Sequence, residues 1–161
     1  MTAGPTSDVP VEALVRAQLL RLRSQVRSVT GSLVATRDGL LVAADLPGRA
    51  PEPVAALTST LLGLARYAVE VTATGALTGA VVRGTGGHLA AYALGDAATL
   101  TVVGGADLDV GQLHLEIRPV LDRLVALSDR FVGFADVGLV GLGGPVALHA
   151  TVPGIVRRRR R

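Results

Sequence analysis

The segment from near Pro53 to about Thr74 constrains the fold more than any other part of this chain. Pro53 suits the first turn of a helix and Gly75 supplies a stop, so the pattern predicts one long helix between them. Its apolar residues form two adjoining stripes. Leu57, Leu61, Leu64, Ala68 and Val71 make one, and Ala55, Leu62, Ala65 and Val69 continue it sideways. At about 100° per residue the combined arc covers roughly 200°, about twice the minimum stripe of an ordinary surface helix. Arg66 and Glu70, four apart, mark the wet side. A helix of this kind needs two burial partners, and one of them can be another chain.

The flanking segments supply the first partner. From Val9 to about Ser28, the residues Val11, Val15, Leu19, Leu22 and Val26 share a narrow helical stripe. Ser7 or Asp8 can cap this helix, with Pro10 tolerated in its first turn. Arg16, Arg23 and Arg27 line a separate face, read first as a solvated surface and second as a partner-binding face. Two strand-like runs follow, about Val29–Thr36 and Leu40–Ala44. Arg37-Asp38-Gly39 separates them, and Asp-Gly signals a tight hairpin of the primed type. After the long helix come strands at Ala76–Arg83, His88–Leu94 and Ala97–Val103. Gly84 to Gly87 and Gly95-Asp96 form the turns between them. A last helix begins at Asp109, with Gln112 placed to complete a capping box. Pro119 lies well inside it, so a kink or break is expected near Leu115 to Arg118.

Composition removes most catalytic chemistry. The chain has no Cys, and all 16 of its basic residues are arginine. Disulfides, thiolate nucleophiles, Schiff-base lysines and the Walker lysine are therefore excluded. Gly84 to Gly87 joins two strands rather than a strand and a helix, which argues against a phosphate loop. His114 and Glu116 point to different sides of a helix, and His88 and His149 lack companions, so no metal site is expected. Asp107 and Asp109 are explained by helix capping. No nucleophile elbow or acid–base pair stands out, and neither a catalytic residue nor a cofactor is expected.

Five of the arginines are consecutive, Arg157, Arg158, Arg159, Arg160 and Arg161. The other 11 face 13 acids, so the body is about two charges negative and a poor nucleic-acid binder. Tyr67, Tyr92, Phe131 and Phe134 offer no stacking platform. The expected organisation is a loose N-terminus at 1–8, one α/β domain at 9–130, and a Gly-rich tail at 131–161 ending in polyarginine. The tail reads first as flexible, and otherwise as an added strand, a packed extension or a membrane span. The five arginines read either as an electrostatic anchor for an anionic membrane or as a solvated end without a role. No basic n-region followed by an apolar run opens the sequence, so a cytoplasmic location is expected, with membrane-peripheral attachment through the tail.

The order helix, two strands, helix, three strands, helix resembles the Roadblock/dynein light-chain family. The run Gly31 to Ala44, centred on Asp38-Gly39, looks like that family's first hairpin. Ala55 to Leu57 and Leu61 to Ala65 resemble its long central helix. Thr99 to Val103 followed by Asp109 to Leu113 resembles its last strand and the entry to its final helix. The resemblance spans about Val9 to Arg130; Pro119 and the arginine-ended tail depart from the pattern.

That resemblance implies a Roadblock-like sandwich of the profilin and longin type. A five-stranded antiparallel sheet would carry the long helix on one face and the terminal helices on the other. It implies dimers joined through the third strand and the central helix, which places Leu57, Leu61, Leu62, Leu64, Ala68, Thr78, Ala80 and Val82 at the interface. Bacterial MglB-like members bind small Ras-like GTPases and modulate their cycle without contributing a catalytic residue. The leading expectation is thus a non-catalytic, dimeric regulator or scaffold for such a GTPase. A small-ligand sensor of profilin- or PAS-like shape and a membrane-peripheral adaptor using the arginine tail stand as alternatives.

Overall fold

The computed structural model describes residues 9–131. The capping by Ser7 or Asp8, the loose residues 1–8 and the arginine anchor lie outside that range. The elements are α1 (Val11–Gln25), β1 (Val29–Thr36), β2 (Leu41–Asp45), α2 (Pro51–Val71), β3 (Gly79–Gly84), β4 (Gly87–Leu94), β5 (Ala98–Gly105), α3 (Val110–Glu116) and α4 (Arg118–Leu127). A short 3-10 turn, Ser128–Phe131, closes the fold. The element order expected from the sequence is present, and the strands form one antiparallel sheet in the order β2-β1-β5-β4-β3.

Strand alternation divides the apolar residues between two unequal cores. Val34, Tyr92, Leu94, Leu100 and Val102 project to one face, where Val15, Leu19 and Leu22 of α1 and Leu113, Ile117 and Leu124 of the C-terminal helices cover them. Leu33 and Ala35 project to the other face, where they meet Leu46 and Ala55 beneath α2. The second core is thin. Sheet positions facing α2 are mostly small or hydroxyl-bearing, and Thr99 and Thr101 are wholly buried there. Phe131, which composition assigns to the tail, is 1% exposed and belongs to the larger core.

Local chemistry explains the boundaries. The helix α1 starts at Pro10, whose carbonyl accepts from Ala13 N–H at 3.0 Å, without a side-chain cap. The turn between β1 and β2 is not of the primed type, because Arg37 and Asp38 both keep negative φ. Only Gly39 is left-handed, at φ 88°. Gly39 N–H donates to the Thr36 carbonyl at 3.0 Å and Thr36 N–H to the Leu40 carbonyl at 2.8 Å, the pattern of a turn followed by a glycine bulge. Asp109 caps α3 by accepting from Gly111 and Gln112 N–H groups at 2.8 and 3.0 Å. Gln112 does not reach back to complete a capping box; its Nε2 donates forward to Glu116 Oε1 at 2.7 Å. The last helix breaks at Ile117, which ends α3 and opens α4. Pro119 thereby falls in the first turn of α4, where its missing N–H costs nothing.

Candidate interaction surface

The orientation of α2 about its own axis decides which apolar stripe is buried. Ala55, Thr58 and Leu62 face the sheet and are buried, with Ala65 and Val69 half-buried beyond them. The small Ala55 over the small Ala35 lets the helix lie close to the strands. The other stripe stays bare. Leu57 is 71% exposed, Leu64 66% and Val71 65%, and Ala68 is exposed beside them. Tyr67, 67% exposed, flanks the same strip. Leu61 is half-buried because it leans toward β3.

From Val54 onward the stripe runs through Leu57, Leu61, Leu64, Ala68 and Val71, with spacings that alternate between three and four. That is the a/d pattern of a helix seam made to mesh with another helix. Among the described residues α2 is also the one helix long and apolar enough to cross a membrane by length and composition. Being apolar on two sides produces that signal, and one of the two sides is already packed on the sheet.

Strand β3 continues this surface. It is one of the sheet's two outer strands, bonded to β4 on one side only, so its other row of backbone N–H and C=O groups is open to pairing. Val81 and Val82 are 44% and 47% exposed, and Ala80 is half-buried. A cleft of about 230 Å³ lined by Leu57, Thr58, Leu61, Val82 and Leu89 joins the strand to the helix. The apolar seam and the open edge therefore form one surface.

Several residues sit elsewhere than the sequence suggests. Leu62 is fully buried against the sheet and cannot belong to an interface between chains. Its neighbours in the linear pattern mislead, because a single residue step turns the side chain by about 100°. Thr78 is exposed but precedes β3. Arg66 does not mark the wet side. It is half-buried, with Nη2 shielded from solvent and lacking a hydrogen-bond partner among the described residues. Of the three arginines read as one face, Arg23 pairs with Asp45 on β2, Nε to Oδ2 at 2.9 Å, while Arg16 on α1 and Arg27, just beyond its end, remain exposed.

The candidate chemistry is dispersed. His88 Nδ1 lies 3.2 Å from the Gly105 carbonyl, and His114 stacks obliquely on Tyr92 with ring centres 5.7 Å apart. Burial pushes the Tyr92 hydroxyl pKa above its ordinary value. Among the described residues no group of three His, Asp or Glu could hold a metal ion. His149 lies outside them.

Comparison with known proteins bears on the fold and the family. The Roadblock/LC7 domain family model matches residues 16–104. The comparison with curated protein sequences returns no match. Among solved structures, the chain is similar to a Roadblock/LC7 domain from Streptomyces avermitilis, at TM-score 0.62 and 24% identity over 67% of this chain and 92% of that one. MglB from Myxococcus xanthus gives TM-score 0.66 and 15% identity over 73% and 96% of the two chains. The gliding protein MglB from Thermus thermophilus gives 0.66 and 14% over 81% and 99%. At these identities the likeness concerns the fold, whereas the family match covers more than half of the sequence. The chain belongs to the Roadblock/LC7 domain family.

Proposed function

We propose that this protein is a non-catalytic regulatory or scaffolding module that pairs with a second copy of itself and binds a small Ras-like GTPase. The bare seam on α2 beside the open edge of β3 carries the first half of the reading. Pairing two β3 strands would satisfy the open backbone groups. Pairing two α2 helices would cover Leu57, Leu64 and Val71 at the same time. The second half rests on family membership and on the fold shared with the MglB proteins. Without Lys or Cys and with scattered histidines, the module would act by docking on a switch region and shifting its conformation, not by donating a reacting group.

Two measurements test the halves separately. Sedimentation equilibrium should give a dimer at micromolar concentration; a monomer throughout would overturn self-association. Pull-down from the native host with GDP or a non-hydrolysable GTP analogue should enrich a Ras-like GTPase in one nucleotide state only. Failure to recover any GTPase under either nucleotide would overturn the partner assignment.

A further inference from the structure

The layers on the two faces of the sheet are held to it unequally. The 15-residue α1 buries Val11, Val15, Leu19 and Leu22 in the larger core, whereas α2, with 21 residues, buries Ala55, Thr58 and Leu62. Beneath α2 the strand register sets two rows of side chains. Ala35, Thr99 and Ala93 form one row, and Leu33, Thr101, Ala91 and Ala80 form the other. A cleft of about 230 Å³ already parts the helix from β3 and β4 beside Thr58. Among the described residues a single side-chain hydrogen bond ties α2 to the sheet, from Ser59 Oγ to the Thr36 carbonyl at 3.3 Å.

The same layer holds polar groups that stay unpaired when the helix is seated. Thr58, Thr99 and Thr101 are at most 1% exposed, and the Oγ1 of each lacks a hydrogen-bond partner among the described residues. So does Nη2 of Arg66, one helical turn beyond Leu62. Each of these groups loses its hydration when α2 is seated and regains it when α2 lifts, so their desolvation works against closure. Both connections of α2 also contain left-handed backbone. Gly48 precedes the helix with φ 74°, and Ala73 and Gly75 follow it with φ 52° and 102°. Among the described residues Ala73 is the one non-glycine with positive φ, a conformation its Cβ disfavours.

We propose that α2 is a detachable layer. In the unpaired protomer it lifts from the sheet as one unit, hinged at Gly48 and at Ala73 to Gly75, while the sheet, α1, α3 and α4 stay folded. The sheet face it uncovers is mostly Ala and Thr, which tolerates water, and the larger core on the opposite face is untouched. Leu57, Leu64 and Val71 lie on the outer side of the same helix. A partner that covers them together with the β3 edge must meet α2 in its seated place. Binding at the seam and seating of the helix therefore reinforce each other. That coupling rests on the docking reading, whereas the lifting itself does not.

Hydrogen–deuterium exchange of the full chain tests it, read by mass spectrometry at a concentration where sedimentation gives monomer. The amides of α2 should share one protection factor, at least about tenfold below that of α1 and β5. Thr99→Val and Thr101→Val keep the side-chain shape and remove a buried, unpaired hydroxyl. Each should raise the protection factor of α2 about fivefold or more. Equal protection of α2, α1 and β5 would overturn the proposal, and so would α2 exchange that is unchanged or faster in both variants. Raising the concentration tests the coupling, because α2 exchange should slow once dimer forms. A dimer seen in sedimentation with no slowing of α2 exchange would overturn the coupling. A chain that stays monomeric throughout refutes self-association and leaves the monomer's exchange result standing, so the two readings fail independently.

Discussion

Leu64→Ala and Leu62→Ala, two positions apart on α2, should have opposite signatures. Complete burial of a leucine contributes about 1.5–3 kcal/mol, so Leu64, 66% exposed, has about 1–2 kcal/mol still to gain. A two-fold contact uses each residue twice. Truncating Leu64 to alanine removes most of its apolar carbon from both copies, about 1.5–3 kcal/mol in all, which raises the dimer Kd about 10- to 150-fold. The same change should leave the monomer within about 0.5 kcal/mol of the parent, because the side chain is bare there. Leu62→Ala instead opens a cavity between α2 and the sheet and should cost about 2–5 kcal/mol of folding stability at any protein concentration. Sedimentation equilibrium over a wide concentration range reads the first effect and urea denaturation at low concentration reads the second. An unchanged Kd in Leu64→Ala, or a loss of monomer stability equal to that of Leu62→Ala, would refute the assignment of the two stripes.

Asp109→Ala removes the acceptor of the Gly111 and Gln112 N–H groups and should lower stability by about 0.5–2 kcal/mol in denaturant titration. Phe131→Ala should cost about 3–5 kcal/mol, since this ring fills the larger core. Deleting residues 132–161 should leave the melting temperature and self-association nearly unchanged while abolishing any pelleting with anionic liposomes. A truncated chain that unfolds would place part of that segment in the core. Tyr92 has a raised pKa in the folded state, so above pH 10.0 the unfolded chain loses this proton first. Stability should therefore be full below pH 10.0 and fall as pH rises from there toward the higher folded value. Tyr92→Phe should blunt that alkaline loss in melts compared at about pH 8 and about pH 10.5; an identical slope in parent and variant would count against it.

Much of the fold is legible in the chain because it depends on local chemistry. The valines and leucines of α1 recur at helical spacing, and Val11, Val15, Leu19 and Leu22 are all buried. Pro119 does not fit inside a continuous helix, and the structure breaks at Ile117 so that this proline falls in the first turn of α4. Gly39 stands where the chain needs a left-handed residue, although Arg37 and Asp38 do not share that conformation. The two-sided apolar character of α2 is likewise a property of its residues alone. It establishes that the helix has more apolar surface than one sheet face can cover.

Which of its two sides meets the sheet is a different kind of question. The sequence sets the angle between Leu62 and Leu64 around the helix axis, but not the rotation of the whole helix against strands distant in the chain. Close packing of Ala55 over Ala35, with Leu33 and Leu46 alongside, sets that rotation. It sends Leu62 inward and leaves Leu57 and Leu64 bare. The same rotation carries Arg66 under the helix, toward the β4–β5 turn, when its linear pairing with Glu70 suggests solvent. Phe131 follows the same logic, since it sits in a Gly- and Val-rich context but finds its neighbours in the larger core, among segments distant in the chain. Periodicity is written into consecutive residues. Azimuth, edge exposure and the contents of a cleft arise only when distant segments compete for the same sheet face, and those were decided by the tertiary structure.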